Sequence, residues 1–193
     1  MTVGRGWSWP RIARRIRVPL GFAFALLYIW FARPAWWSLA AGGAIAIPGL
    51  LIRAIASGHV RKNRELTTSG PYRYTRNPLY LGSLIMAAGF ALCSRNGWIA
   101  GGLGLVFLAV YLPVIGAEEQ HLRSEFSGFE EYSRSVPRLF PRFSRALKSG
   151  ASSNSEDERF SRELYLKHRE YNSLLGTAGM LLALAAKIIW FNG

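Results

Sequence analysis

Cysteine, histidine and acidic residues are scarce in this sequence. The 193 residues include one cysteine, Cys93, and three histidines. A single cysteine excludes an intrachain disulfide, and no two histidines have the spacing of metal ligands, so we predict no bound metal. Only Glu65 is acidic before residue 118, against thirteen Lys and Arg. Because acidic and basic residues balance between residues 118 and 170, nearly all of the net charge of +13 lies in the first part of the chain.

Charged residues make up only 18% of the chain, whereas 50% is hydrophobic. Basic clusters alternate with long uncharged apolar runs, which excludes a disordered chain and a soluble nucleic-acid-binding protein. Runs of this kind are typical of membrane-spanning helices. They cover residues 18–32, 35–52, 79–94, 97–117 and 174–191. The sequence therefore predicts an all-α, polytopic membrane helical bundle embedded in the lipid bilayer, with about five transmembrane helices. Four spans and a re-entrant tail are the alternative.

The basic residues indicate how the helices are oriented. Five arginines precede the first run and six Lys or Arg lie between residues 53 and 76, whereas the two short turns hold only Arg33 and Arg95. Since basic loops stay in the cytoplasm, we expect the N-terminus, the middle loop and the region after Glu118 to be cytoplasmic. Anionic headgroups account for these clusters without any bound ligand.

Prolines and glycines mark features inside the apolar runs. Pro48 predicts a kink in the second helix, and Pro78 is expected at the first position of the third helix. Gly101, Gly102 and Gly104 predict close helix packing in the fourth run.

After Pro141 the composition changes. Residues 142–155 have the composition of a flexible linker, and Ser155 with Glu158 forms a capping-box signature for a helix to about Tyr171. Its mixed charges predict that this helix lies on the membrane surface or against the cytoplasmic loops. The predicted units are thus a membrane domain (1–141, core 45–141), the linker, and an amphipathic helix followed by a membrane helix (156–193). If the last apolar segment crosses the bilayer, Lys187 lies at the outer interface.

Residues 66–82, LTTSGPYRYTRNPLYLG, are unusually dense in Gly, Pro, Tyr and Arg for a connection. Gly70 with Pro71 favours a turn, and Pro78 opens a helix whose free N–H groups favour an anion. Arg73 and Arg76 add donors for a carboxylate or phosphate. A headgroup anchor with a tyrosine belt is the alternative.

Two adjacent acids, Glu118 and Glu119, follow the fourth apolar run. Carboxylates at the C-terminal end of a helix oppose its dipole, so this pair needs a cationic partner. That partner is either a neighbouring arginine or a positively charged ligand. His121 shares a helix face with Glu118 if the helix continues, which makes it a candidate proton acceptor.

Three segments occur here in an order that resembles a known enzyme superfamily. They are Gly70–Gly82, the pair Glu118 and Glu119, and residues 132–138 (YSRSVPR). Together they resemble the isoprenylcysteine carboxyl methyltransferase and phospholipid methyltransferase superfamily of integral membrane enzymes, over roughly residues 45–141. The resemblance implies S-adenosylmethionine as cofactor, bound on the cytoplasmic side. It also implies a lipophilic acceptor that arrives through the bilayer, such as a prenylated cysteine carboxylate or a lipid amine.

The resemblance also implies roles for individual residues. The sulfonium and ammonium of the cofactor suit Glu118 and Glu119, and its carboxylate suits an arginine of the first segment. Asn77 occupies the position of the family's histidine, and Arg138 binds an anionic acceptor or closes a lid. The implied cofactor-binding set is Arg73, Tyr74, Arg76, Pro78, Tyr80, Leu81, Gly82, Glu118, Glu119 and His121, and the implied catalytic set is Asn77, Tyr132 and Arg138.

Two other functions stay open from the sequence. Sterol reductases that use NADPH share part of the first segment, although Leu79 and Ser83 depart from their pattern. A non-catalytic membrane scaffold is the other alternative, because Asn77 replaces the histidine.

Overall fold

The computed structural model describes residues 21–60, 66–141 and 160–191. These ranges contain helices and no strand, which confirms the all-α prediction. The N-terminal basic flank, all of the predicted linker and the capping box of Ser155 and Glu158 lie outside them. The helices are α1 (Gly21–Phe31), α2 (Trp36–His59), α3 (Pro78–Ser94), α4 (Gly97–Val106), α5 (Leu112–Glu125), α6 (Phe129–Ser135), α7 (Arg162–Lys167) and α8 (Tyr171–Phe191).

Five apolar helices occur where the five apolar runs predict them. Three of them, α2, α8 and the continuous helix Gly97–Glu125 formed by α4 and α5, are long and apolar enough to cross a membrane. The other two, α1 and α3, are shorter. Large apolar side chains such as Trp30, Leu51 and Leu182 point outward, as they do in a lipid environment. The chain is an integral membrane helical bundle.

Glycines bring α2 and α3 into close contact. A Cβ atom on Gly49 would lie 2.6 Å from the carbonyl oxygen of Gly82, and one on Gly89 would lie 2.5 Å from that of Gly42. Small residues let the backbones of membrane helices approach in this way. The α2–α3 pair is thus the best-defined helix contact of the bundle.

The prediction that the three glycines of α4 pack closely against another helix is wrong for two of them. Among the residues that the structure describes, Cβ atoms on Gly101 and Gly104 would meet no atom within 4 Å, and one on Gly102 would meet only the ring of Phe24, at 3.1 Å. These positions face open space or a side chain, and a missing Cβ lets helices approach closely only where another backbone lies opposite.

Two helices continue beyond their apolar runs. α2 includes Pro48 and extends to His59, and α5 extends to Glu125, whereas the runs end at residues 52 and 117. The α2 extension is stabilised because Arg53 forms an ion pair with Glu170 at 2.8 Å. Because α5 continues, His121 lies one turn beyond Glu118, as the helical alternative requires. α3 begins at Pro78, as predicted.

A π turn, Phe107–Tyr111, connects α4 to α5. The rings of Phe107 and Tyr111 are stacked there, with centroids 5.6 Å apart. Pro113, two residues after Tyr111, lacks the N–H that a regular helix would use. A π turn widens one turn of a helix so that it holds one additional residue.

The short turns between α1 and α2 and between α3 and α4 lie together at one end of the bundle, the turn end. Arg33 N donates to Ser94 O at 2.8 Å across these turns. Lys187 of α8 also reaches this end and donates to the carbonyl oxygens of Ile29 and Trp30 at 2.6 and 2.9 Å. Since Glu170, just before α8, contacts the other end of α2, α8 runs the length of the bundle. This geometry agrees with the crossing alternative.

The prediction of a single helix that reaches Tyr171 is wrong within the described residues. α7 covers only six residues, capped by the Ser161 hydroxyl, which accepts from Leu164 N. Arg169 then has a positive φ of 54°, which interrupts the helix before α8. Phe160 packs over Gly58, and Ser161 N donates to Gly58 O at 2.9 Å. α7 therefore packs against the end of α2, which favours the loop alternative over the membrane surface.

Candidate active site

Three separate segments meet at the end of the bundle opposite the turns, the loop end. Asn77 Nδ2 donates to Glu119 Oε1 at 3.1 Å, and the Tyr80 hydroxyl donates to Glu118 Oε2 at 3.0 Å. Arg76 N donates to Pro137 O at 2.9 Å. The segment before α3, the acids of α5 and the segment after α6 therefore form one site.

Glu119 is neutralised by arginines. Its carboxylate lies 3.6 Å from Arg76 Nη1 and 3.3 Å from Arg138 Nε. The Arg76 guanidinium also lies over the Phe129 ring, 5.9 Å from its centroid. For Glu119 the cationic partner is thus a neighbouring arginine, and Arg138 reaches the site through this contact.

Glu118 has a different environment from its neighbour. It accepts the Tyr80 hydrogen bond, and within the described part of the chain it forms no ion pair. Its charge acts on Tyr72, since burial raises the pKa of that tyrosine above its ordinary value of 10 and the nearby Glu118 carboxylate raises it further. Glu118 is therefore the carboxylate of the pair that can accept a cation from a ligand.

Arg76 has an unused donor in the same region. Its Nε atom is buried and has no hydrogen-bond partner among the residues described. A buried guanidinium donor without an acceptor is destabilising, so an acidic or carbonyl oxygen from a ligand would be favourable there. The site thus offers both a carboxylate and a guanidinium group.

Asn77 and Thr75 fasten the first segment to the third. Asn77 Nδ2 donates a second hydrogen bond, to Arg138 O at 2.9 Å, and the Thr75 hydroxyl donates to Leu139 O at 2.9 Å. Asn77 is only 7% exposed. Its amide fixes the position of Glu119 and of the chain around Arg138, which makes it a positioning residue.

The hydroxyl of Tyr132 also has a structural contact. It donates to Tyr72 O at 2.8 Å in a buried position, and burial raises the pKa of Tyr132 above its ordinary value of 10. This bond ties α6 to the 3-10 turn Gly70–Arg73. The ring of Tyr132 faces the cavity described next, whereas its hydroxyl is used to hold two segments together.

A cavity of about 150 Å³ lies between the three segments. Eight of the thirteen residues implied by the resemblance line it: Arg76, Asn77, Pro78, Tyr80, Glu118, Glu119, His121 and Tyr132. Sequence reasoning missed other lining residues, among them Tyr72, Leu79 and Phe129. Tyr72 lies within the first segment, directly before Arg73, so the resemblance of that segment to the family already indicated it. For Phe129 the signal was the aromatic spacing of Phe126, Phe129 and Tyr132 just before the third segment.

The other five residues do not line this cavity. Gly82 lies in the α2–α3 contact, where a Cβ would also meet Arg53, and Leu81 is buried beside it. Arg138 holds Glu119 from the exposed side. Arg73 closes the 3-10 turn, and Tyr74 follows it. Within the described ranges no three His, Cys, Asp or Glu residues are grouped to hold a metal ion.

Known proteins resemble this chain in sequence over part of its length. A family model described as phospholipid methyltransferase matches residues 16–128. The cobalt-zinc-cadmium resistance protein CzcN of Cupriavidus metallidurans is 40% identical over 84 residues, and the nickel-cobalt-cadmium resistance protein NccN of Alcaligenes xylosoxydans is 37% identical over 84 residues. Each match covers 44% of this chain and 39% of the relative, so the chain spans about two fifths of the length of these proteins. No solved structure gives a significant match.

Proposed function

The chain belongs to the phospholipid methyltransferase family, and we propose that it transfers a methyl group from S-adenosylmethionine to a lipophilic acceptor in the membrane. The observation that carries this proposal is the cavity at the loop end, where Glu118 has no cationic partner in the described part of the chain and Arg76 has a buried unused donor. S-adenosylmethionine carries a sulfonium, an ammonium and a carboxylate. A carboxylate and a guanidinium in one cavity complement that set of charges.

The residues of the cavity have distinct proposed roles. Glu118 binds the ammonium or sulfonium, and Arg76 Nε binds the carboxylate. Tyr80 and Asn77 orient Glu118 and Glu119 through the hydrogen bonds already described. Methyl transfer is an in-line displacement in which the sulfonium becomes a neutral thioether, so alignment and exclusion of water are the main contributions of the protein.

An acceptor that carries a proton must lose it during the reaction. His121 lines the cavity, and imidazole is the side chain whose ordinary pKa suits proton transfer near neutral pH. We propose His121 as the proton acceptor for such substrates. A carboxylate acceptor would need no base, so the activity of a His121→Gln variant distinguishes the two acceptor classes.

The cavity is smaller than the roughly 300 Å³ at which small-molecule sites begin. Cofactor binding therefore requires one wall to move. The wall formed by Leu66, Thr67 and the aromatic residues of α6 is the part whose displacement leaves the membrane helices in place.

Binding of S-adenosylhomocysteine tests the proposal. Titration calorimetry of the purified protein should detect binding, and Glu118→Gln should weaken it about tenfold to a hundredfold, as expected for loss of a charged hydrogen-bond acceptor. Glu125→Gln, at the end of the same helix, is the control and should bind like the native protein. Absence of binding by the native protein would overturn the proposal.

The family match favours this function over the NADPH-dependent reductase. Methyl-labelled cofactor incubated with membranes distinguishes an enzyme from a non-catalytic scaffold, because only the enzyme produces a labelled lipid. Identification of that lipid would also define the acceptor.

A further inference from the structure

A second cavity, of about 540 Å³, lies among α1, α3, α4 and α8 in the apolar part of the bundle. Its walls are mostly apolar, including Phe24, Met86, Leu103 and Met180. A smaller cavity of about 240 Å³ shares Phe24 and Leu103 and continues along α4 to Phe107. The combined space suits a long hydrocarbon chain.

Polar groups line one part of this cavity, and most of them are already paired. Arg53 donates to both oxygens of Glu170, at 2.8 and 2.9 Å. The Ser83 hydroxyl donates to Leu79 O at 3.0 Å, and the Ser173 hydroxyl donates to Glu170 Oε2 at 3.0 Å. These contacts leave a site with polar surface and no net charge.

Thr177 differs from these residues. It lines the same cavity and is only 6% exposed, and its hydroxyl has no hydrogen-bond partner within the part of the chain that is described. An unpaired buried hydroxyl is destabilising. A ligand that supplies one hydrogen-bonding atom would satisfy it.

The ion pair limits the charge of such a ligand. An ammonium group would compete with Arg53 for Glu170, and a carboxylate would compete with Glu170 for Arg53. In either case one buried charge would lose its partner, which is unfavourable. An uncharged hydroxyl leaves the pair intact and can bond Thr177.

The second cavity lies close to the proposed cofactor cavity. Tyr111 lines the second cavity, and its ring centroid lies 5.9 Å from that of Tyr80. Tyr80 in turn lines the cofactor cavity and bonds Glu118. The Tyr80–Tyr111 ring pair therefore lies between the two spaces.

We propose that this second cavity binds the acceptor and that it takes a long-chain lipid with an uncharged hydroxyl head. For transfer, the head passes the Tyr80–Tyr111 ring pair into the cofactor cavity. There its oxygen forms a bond to the methyl carbon as the carbon–sulfur bond of S-adenosylmethionine breaks, S-adenosylhomocysteine leaves, and the hydroxyl proton passes to His121. α8, which lies outside the part of the chain matched by the family, contributes the selecting group through Thr177. This inference rests on the proposed function, since an acceptor site has meaning only beside a methyl donor.

Photolabelling in lipid nanodiscs tests the inference. The probe is dodecanol that carries a diazirine on its chain, and the labelled residues are mapped by mass spectrometry. Labels are expected on α8 near Thr177 and on α3 near Met86. Unlabelled dodecanol should compete at least fivefold better than dodecylamine or dodecanoate, and Thr177→Val should weaken that competition about three- to tenfold.

Two glycines of α8 provide a matched pair of variants. A Cβ on Gly176 or on Gly179 would meet no atom of the described chain within 4 Å, and of these two glycines only Gly176 lines the cavity. Gly176→Leu should abolish labelling, Gly179→Leu should retain it, and both should bind S-adenosylhomocysteine like the native protein.

The two proposals fail in different ways. Labelling that survives Gly176→Leu, or dodecanoate that competes as well as dodecanol, would overturn the acceptor site even if the cofactor analogue binds. Absence of S-adenosylhomocysteine binding by the native protein would overturn the methyltransferase proposal, and with it the acceptor role of this cavity.

Discussion

At the scale of single residues, Asn77 connects the first segment of the site to both of the others. One amide nitrogen bonds both Glu119 and the backbone at Arg138. A neutral imidazole carries only one N–H group, so a histidine here would lose one of these bonds or become charged. The amide is thus suited to holding the segments in place and not to proton transfer.

We expect Asn77→Asp to destabilise the protein by roughly 2–4 kcal/mol at neutral pH, because an acceptor would face the Glu119 carboxylate and a carbonyl oxygen. Burial beside Glu119 favours the protonated form of the new carboxyl, so the loss of stability caused by the substitution should become smaller as the pH falls. Chemical unfolding in detergent across a pH series measures both effects. Asn172→Asp, at an exposed position, is the control. Equal losses at all pH values would contradict this account of the site.

Tyrosine burial predicts a loss of stability in alkali. The pKa values of Tyr72 and Tyr132 are raised above the ordinary value of 10, so their contribution is fully present below about pH 10 and is lost as the pH rises towards the raised values. The free energy of unfolding should therefore fall above about pH 10. Tyr132→Phe should reduce this fall and should cost about 1 kcal/mol at neutral pH, because the bond to Tyr72 O is lost. Denaturation curves from neutral pH to about pH 11 check both outcomes.

At the scale of elements, the contact between α2 and α3 fixes the position of α3 and therefore of the first segment of the site, which leads into it. α3 starts at Pro78, directly after Asn77, so any displacement of this helix moves the site. We predict that Gly49→Ala destabilises the protein by about 1–3 kcal/mol, because its Cβ would meet the backbone of α3.

Gly101→Ala is the matched control for that substitution. Its Cβ meets open space, and alanine favours a helix by roughly 0.5–1 kcal/mol over glycine. The melting temperature, followed by tryptophan fluorescence, should therefore fall for Gly49→Ala and rise for Gly101→Ala. A shift in the same direction would show that α2 and α3 tolerate separation.

At the scale of the whole molecule, the positive-inside pattern predicts that the turn end and the loop end lie on opposite sides of the membrane. Trp98, at the turn end, is 91% exposed, whereas the native Cys93 is fully buried. A membrane-impermeant maleimide should label Trp98→Cys in intact spheroplasts, and Ser135→Cys on α6 only after permeabilisation. The reverse pattern would invert the predicted orientation.

The sequence predicts the parts of this architecture that depend on local composition. The length of the uncharged runs alone identifies the apolar helices, and Pro78 alone marks the start of α3. Among the described residues, Glu119 pairs with two arginines and Glu118 with none, and this difference depends on the rotation of α5 relative to the other helices, which no local pattern reports. The packing role of Gly82, and the lack of a hydrogen-bond partner for the Thr177 hydroxyl in the described ranges, likewise depend on which helix lies opposite.

The π turn at Phe107–Tyr111 holds one residue more than a regular turn of the same helix. Removal of Leu108, whose side chain faces outward, would therefore leave a regular helix with Glu118 and Glu119 on nearly the same side of α5. Removal of a residue between Leu112 and Glu118 has no wide turn to absorb it and would rotate both acids by about 100°. The proposed site thus tolerates a one-residue deletion in the π turn and not in the first turns of α5.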